Sequence, residues 1–155
     1  MSRLTGVWRS EAPAEQAALS NTHNARYTEG WGRDGDAGVV ALEGGEAVGA
    51  AWYRRFSPGD PGYGFIDEET PEVSIAVDFG HRGRGVGTAL LAALCERAAH
   101  DGFAALSLSV ERDNPALRIY ERQGFVEVKG TGDACTMRID LCQVGERSRR
   151  LRSGR

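Results

Sequence analysis

Val77-Asp78-Phe79-Gly80-His81-Arg82-Gly83-Arg84-Gly85-Val86-Gly87-Thr88 is the segment around which the rest of this chain can be placed. Glycines stand at alternate positions 83, 85 and 87, after an alternating apolar segment and before an amphipathic one. Such a strand-to-helix turn lets the backbone approach a ligand closely and aims several N–H groups at one point. The helix that starts there adds the positive end of its dipole. The result is a cradle for phosphate or pyrophosphate, to which Arg82 and Arg84 can add charge-assisted bonds. A P-loop is excluded, because it needs GxxxxGK[ST] and the sole lysine is Lys129. The dinucleotide pattern GxGxxG is excluded too, since Thr88 and Leu90 stand where a third glycine is required. The competing plain reading is a glycine-rich turn with solvated arginines.

Outward from the turn, the C-terminal half is regular. Val73, Ile75 and Val77 alternate with Ser74 and Ala76, which predicts a strand. Gly87–His100 predicts a helix with Leu90, Leu94 and Ala98 on one face and Ala93 beside them, ended by Asp101-Gly102. Leu106, Leu108 and Val110 alternate with Ser107 and Ser109 in a second strand. Asn114-Pro115 opens a short helix that Gly124-Phe125 closes, and Val126–Lys129 and Thr136–Leu141 read as two last strands. A strand, a helix and a strand in that order imply parallel neighbours. Toward the N-terminus, Leu4–Trp8 is a weak strand, Pro13–Ala25 a helix and Thr28–Ala37 a loop. Val39–Leu42 and Ala47–Tyr53 are joined at Glu43-Gly44-Gly45-Glu46, the signature of an antiparallel hairpin. Ser57–Pro71 carries three prolines and three glycines together with Tyr63 and Phe65, so it is an irregular loop that folds onto the core or acts as a lid.

Composition narrows the class. At 155 residues, 41% hydrophobic and 26% charged, the chain is an ordinary globular protein of one domain's length. Its longest purely apolar run, Ala89 to Cys95, is too short to cross a bilayer. Residues 1–6 lack the apolar core of a secretory signal, so a cytoplasmic setting is expected. Cys95, Cys135 and Cys142 are three cysteines at wide spacing without a CxxC, which argues against a metal site or a disulfide framework. Residues 143–155 hold five Arg against one Glu, a charge of +4, which leaves −7 on residues 1–142 within the overall −3. An acidic body lacks the basic face that nucleic acid requires. The basic tail reads as a solvated, disordered end, the alternative being an anion- or RNA-binding role.

Two blocks carry a family resemblance. Arg82-x-x-Gly85-x-Gly87, between a strand and an amphipathic helix, resembles the acyl-CoA pyrophosphate motif of the GNAT superfamily of N-acetyltransferases. Asn114-Pro115-Ala116-Leu117-Arg118-Ile119-Tyr120-Glu121-Arg122-Gln123-Gly124-Phe125 resembles the same family's NxxAxxxYxxxGF pattern. The resemblance covers residues 72–128, and strand order alone extends it over 1–71. It implies an α/β (α+β) GNAT acyl-CoA N-acyltransferase fold. That fold has a mixed central sheet of about six to seven strands, about four flanking helices, and a V-shaped splay between strands 4 and 5. The implied organisation is one domain over residues 1–142 followed by the basic tail 143–155.

The resemblance also assigns roles. Pantetheine would pair with the fourth strand at Ile75, Ala76 and Val77. The pyrophosphate would sit on the backbone amides of Arg82, Gly83, Arg84, Gly85, Val86, Gly87 and Thr88, with the Arg82 side chain adding charge. Asn114 matches a position that contacts the CoA arm, although Asn before Pro is equally a helix cap. Tyr120 matches the general acid that protonates the departing thiolate, the alternative being a core tyrosine. Glu72 matches a carboxylate that serves as general base, the alternative being a solvated strand-end glutamate. Another family position for a base holds Ser109 here, which is a departure, and Glu68, Glu69 and His81 are further candidates. His23 and His100 read as surface residues of helices, and Cys95 as a core residue.

The implied activity is transfer of an acetyl group from acetyl-CoA to a primary amine of a small molecule or peptide, by direct attack in a ternary complex. Neither a metal nor a nucleophilic side chain is required. Acidic Asp60, Asp67, Glu68 and Glu69 with aromatic Tyr63 and Phe65 in the loop before the fourth strand would suit a cationic acceptor. The expected partners are acetyl-CoA and that amine, with neither nucleic acid nor membrane and with room for a homodimer. The competing functions are a non-catalytic acyl-CoA-binding or sensing module and an unrelated α/β nucleotide-phosphate binder.

Overall fold

A computed structural model describes residues 5–7, 27, 29–30, 32–78, 80 and 83–142. Among them are seven strands: β1 (Thr5–Val7), β2 (Ala37–Glu43), β3 (Glu46–Arg54), β4 (Glu72–Val77), β5 (Ala105–Glu111), β6 (Val126–Thr131) and β7 (Ala134–Asp140). They also hold two helices, α1 (Val86–His100) and α2 (Leu117–Gln123), against the expected four or so. The helix predicted over Pro13–Ala25 lies outside the described residues. The chain forms two compact units, Met1–Arg55 with Val73–Leu94, and Phe56–Glu72 with Cys95–Arg155.

In the first unit the strands run in the order β1-β2-β3-β4. β2 and β3 form the predicted antiparallel hairpin, with Val40 opposite Ala50 and the turn at Gly44-Gly45. Val40, Ala50 and Trp52 form a buried cluster against which Leu42, Ala47 and Ala76 pack. Removing such side chains from water is the main source of the unit's stability. The far end of β3 is polar and just as deeply buried. Arg54 donates to Asp36 at 2.8 Å and 3.0 Å and to the carbonyl of Glu29, with both side chains 1% exposed. A buried pair like this fixes geometry more than it adds stability, because losing one partner strands the other charge at a cost of about 3–5 kcal/mol. It fastens the loop predicted over Thr28–Ala37 to the hairpin.

In the second unit the order is β5-β7-β6, both pairings antiparallel. Residues directly opposite one another share a face, so the register divides β5 and β7 cleanly. Leu106, Leu108 and Val110 stand opposite Ile139, Met137 and Cys135 on an apolar face, all of them buried. Ser107 and Ser109 stand opposite Arg138 and Thr136 on a polar face. The first residue of β4 joins this unit: Glu72 pairs in parallel with Ser107, and the Ser107 N–H donates to the Pro71 carbonyl at 2.9 Å. Antiparallel ladders with this parallel pair give the mixed sheet expected of the fold.

Helix α2 starts later than the sequence suggests. The Asn114 Oδ1 accepts from the Ala116 N–H at 2.9 Å, closing a local turn, and the regular helix follows from Leu117. At its end the N–H groups of Gly124 and Phe125 both donate to the Tyr120 carbonyl. A Cβ at Gly124 would lie 3.5 Å from Ile139 Cδ1, which sets this end of α2 over the apolar face.

Candidate active site

In the first unit β4 ends at Val77, and the Asp78 N–H is tied to the Val48 carbonyl at 2.9 Å. The glycine turn then climbs into α1. Gly83 and Gly85 have φ of 79° and 81°, a left-handed conformation that costs any residue with a Cβ about 1–2 kcal/mol. Around both positions a Cβ would find open space, so backbone angle rather than crowding calls for glycine here. The Ala89 N–H reaches back to the Gly85 carbonyl at 3.0 Å. The amides of Val86, Gly87 and Thr88 therefore belong to the first turn, where no carbonyl of the helix lies within reach. No acidic side chain stands in that turn. Gly83, Arg84 and Gly85 are exposed, whereas Val86 is buried and anchors the turn. These features fit a diphosphate: the first-turn amides are available, the helix end is positive and no carboxylate stands in the helix's first turn. Ile75, Ala76 and Val77 are half-buried along β4. Arg82 and His81 lie outside the described residues.

Sequence reasoning missed Gly49. A Cβ there would come to 3.0 Å from Leu90 Cδ1, 3.1 Å from the Ala76 carbonyl oxygen and 3.2 Å from Val86 Cγ1. Its bare backbone lets β3, β4 and the start of α1 meet closely, which seats the cradle.

The second unit holds the remaining predicted groups. Glu72 is not a solvated strand-end residue: it is 1% exposed. Its Oε1 accepts from the Gly64 N–H at 2.8 Å, and Gly62 presses on the same carboxylate so closely that a Cβ would collide with it. At Gly64 a Cβ would fall 2.6 Å from the Leu108 carbonyl carbon and 2.8 Å from the Ser109 nitrogen. Gly62-Tyr63-Gly64 is thus a strap laid against β5 over the Glu72 carboxylate, with Tyr63 64% exposed between its glycines. The only advance signal was the alternation Gly62-x-Gly64 ahead of Glu72. In the same loop the Asp67 Oδ1 accepts from the Glu69 N–H and the Thr70 hydroxyl, so that carboxylate is engaged in its own turn. Asp60, Glu68 and Glu69 are exposed.

Tyr120 is the buried residue of α2, 8% exposed, with its ring edge-on to Phe125 at 6.0 Å. Burial pushes its phenol up to about 12. The hydroxyl therefore stays protonated but is a weaker acid than an ordinary tyrosine. The end of α2 at Gly124 sits over the apolar face, whereas Ser107 and its partner Glu72 share the polar one. Burial, with Glu96 adding to it, pushes the Cys95 thiol up to about 12, which removes it as a nucleophile. His100 is exposed, and His23 lies outside the described residues.

Comparison with known proteins agrees with this arrangement. Residues 4–125 match the acetyltransferase (GNAT) family. An L-methionine sulfoximine/L-methionine sulfone acetyltransferase of Pseudomonas paraeruginosa is 32% identical over 127 residues, covering 81% of this chain and 67% of that protein. An L-2,4-diaminobutyric acid acetyltransferase of Nocardia farcinica is 31% identical over 115 residues, covering 71% of this chain and 52% of that protein. The chain thus spans about two thirds of one relative's length and about half of the other's. A solved structure from Salmonella typhimurium with its cofactor acetyl-CoA superposes with a TM-score of 0.65 at 22% identity, covering 89% of this chain and 94% of that one. The chain belongs to the GNAT family, the acetyltransferases that take their acetyl group from acetyl-CoA. No helix among the described residues is long and apolar enough to cross a membrane.

Proposed function

We propose that this chain acetylates a primary amine by direct attack of the amine on the thioester of acetyl-CoA, within a ternary complex. The observation that carries the reading is the glycine turn, where left-handed Gly83 and Gly85 lead into a helix start whose amides are available to a diphosphate. The names of the two curated relatives support an amine-bearing acceptor.

The chemistry sets two tasks. An alkyl ammonium with a pKa near 10.4 is only about 0.1% free amine at pH 7.4, so a base must take its proton before attack. Glu72 takes that role, which requires the Gly62–Gly64 strap to yield to the acceptor. The new C–N bond forms, the C–S bond breaks, one proton ends on sulfur and one leaves to solvent. Tyr120 hydrogen-bonds the sulfur as negative charge grows there. With a phenol near 12 and a thiol near 8.5, complete transfer to a finished thiolate is uphill by about 5 kcal/mol, so Tyr120 stabilises the leaving group more than it titrates. Replacing Tyr120 by Phe is expected to lower kcat by about 10- to 1,000-fold with acetyl-CoA affinity retained. The assay is CoA-thiol release against a panel of amines. An unchanged rate with chemistry limiting would remove Tyr120 from the role.

A second reading draws on the same burial. Tyr120 and Glu72 are both shielded, as they would be in an acyl-CoA-binding module without turnover. Tight binding of acetyl-CoA with no CoA release from any amine would establish that reading instead.

A further inference from the structure

Beside Glu72, the polar face of the second unit holds two residues that neither the catalytic proposal nor the family motifs account for. Glu72 pairs with Ser107, and Ser107 pairs with Arg138, so three adjacent strands place a carboxylate, a hydroxyl and a guanidinium side by side on one face. The Ser107 hydroxyl is fully buried and has no hydrogen-bond partner among the described residues. A buried hydroxyl left in this way costs about 1–3 kcal/mol, which a ligand's polar group would recover. Arg138 is half-buried and makes no ion pair within 4 Å among the described residues. Its neighbours on the face are Ser107, Val126, Thr136 and Asp140, and the Asp140 Oδ1 is turned to the Cys142 N–H at 3.0 Å. A guanidinium is the side chain best shaped to hold a carboxylate with two parallel bonds.

We propose that this row selects an acceptor bearing a carboxylate next to its amine, an α-amino acid, with Arg138 and Ser107 holding the carboxylate and the amine directed toward Glu72. The inference rests on the acetyl-transfer reading and adds the acceptor's class to it. Strands spaced about 4.8 Å apart set the Cα atoms of Glu72 and Arg138 about 10 Å apart, a gap that two long side chains can narrow onto one zwitterion. The charges alternate as the ligand requires, negative beneath the ammonium and positive beneath the carboxylate. Ser107 and Glu72 are buried, so the acceptor reaches them only when the strap yields, as base catalysis by Glu72 also requires.

The test compares L-amino acids with their matched carboxamides, which keep the amine and side chain but lose the anionic group. Wild-type chain is expected to favour the acids by about 10-fold or more in kcat/KM. Arg138→Gln should raise KM for the acids by about 10- to 100-fold with kcat nearly unchanged and the amides unaffected, and Arg138→Lys should restore part of the loss. Ser107→Ala should move KM in the same direction by a few-fold. Calorimetry with acetyl-CoA on each variant shows that it is folded and still binds the donor. Amides used as well as acids, or an acid-to-amide ratio unmoved by Arg138→Gln, would overturn the assignment while leaving acetyl transfer intact. Failure of the wild-type chain to release CoA with any amine would overturn both.

Discussion

At Gly83 and Gly85 a Cβ would meet nothing within 4 Å, whereas at Gly64 it would lie 2.6 Å from the carbonyl carbon of Leu108. The first pair is glycine because of its angle, with φ near 80°, and the space around it remains open. The second is glycine because there is no space at all. The polar groups follow the same division. In the turn, the amides of the first helical residues lie beyond reach of the helix's own carbonyls. In the strap, the Gly64 N–H is already committed to Glu72 at 2.8 Å. Open glycine with available donors is what a ligand requires, while closed glycine with committed donors is what holds a functional side chain still.

The strap offers the largest way to break this contrast. In Gly64→Ala the new methyl meets β5 backbone, which cannot rotate aside as a side chain could. The strap must lift, at a cost of about 3 kcal/mol, the upper part of the usual range for overpacking. Thermal unfolding should then fall by roughly 5–10 °C. Acetyl-CoA affinity, measured by calorimetry well below the transition, should stay within about 2-fold, since the diphosphate donors are untouched. A variant that melts normally would mean that the strap rests on β5 without being held there.

Gly85→Ala should reverse the pattern at smaller amplitude. The methyl has room, so the cost is the left-handed backbone alone, about 1–2 kcal/mol, with a melting shift of only a few degrees. Relaxing that strain rotates the amides at the helix start, and acetyl-CoA affinity should weaken by about 10-fold, the worth of one good hydrogen bond to a charged group. The two variants together form a crossed experiment in stability against affinity. If Gly64→Ala weakened acetyl-CoA binding as much as Gly85→Ala did, the proposed division of labour would be wrong.

The turn was legible in the sequence because its requirements are local. Alternate glycines between a period-two segment and a helical one have few structural meanings, and β4, α1 and β5 appear within a residue or two of where the pattern puts them. The hairpin at Gly44-Gly45 was legible for the same reason. The strap was not legible, because Gly64 becomes meaningful only against a strand more than forty residues later in the chain and Gly62 only against the Glu72 side chain. The burial of Glu72 follows from that contact, so composition could offer only a strand-end glutamate. The row from Glu72 through Ser107 to Arg138 depends on register across three strands, which no single segment records. Arg54 with Asp36 was equally illegible, since nothing local distinguishes a buried pair from two surface charges.

Asn114 supplies the smallest and sharpest test, because the sequence left it between the two kinds of site. Its Oδ1 accepts from the Ala116 N–H at 2.9 Å, so its acceptor is spent on the chain, as the strap's donor is. By that criterion Asn114→Ala should act on stability first, costing about 1 kcal/mol for the lost turn hydrogen bond. Asn114→Asp keeps the acceptor and should restore the melting temperature. The same change replaces an amide by an anion, which would repel a CoA phosphate standing within a few ångströms. Acetyl-CoA affinity unchanged in both variants would therefore make Asn114 a turn former alone. Affinity kept in Asn114→Ala but lost in Asn114→Asp would place the CoA arm beside α2 without any bond from Asn114 to it. Loss in both, with stability rescued by Asp, would require that the amide nitrogen reach the ligand while the oxygen holds the turn.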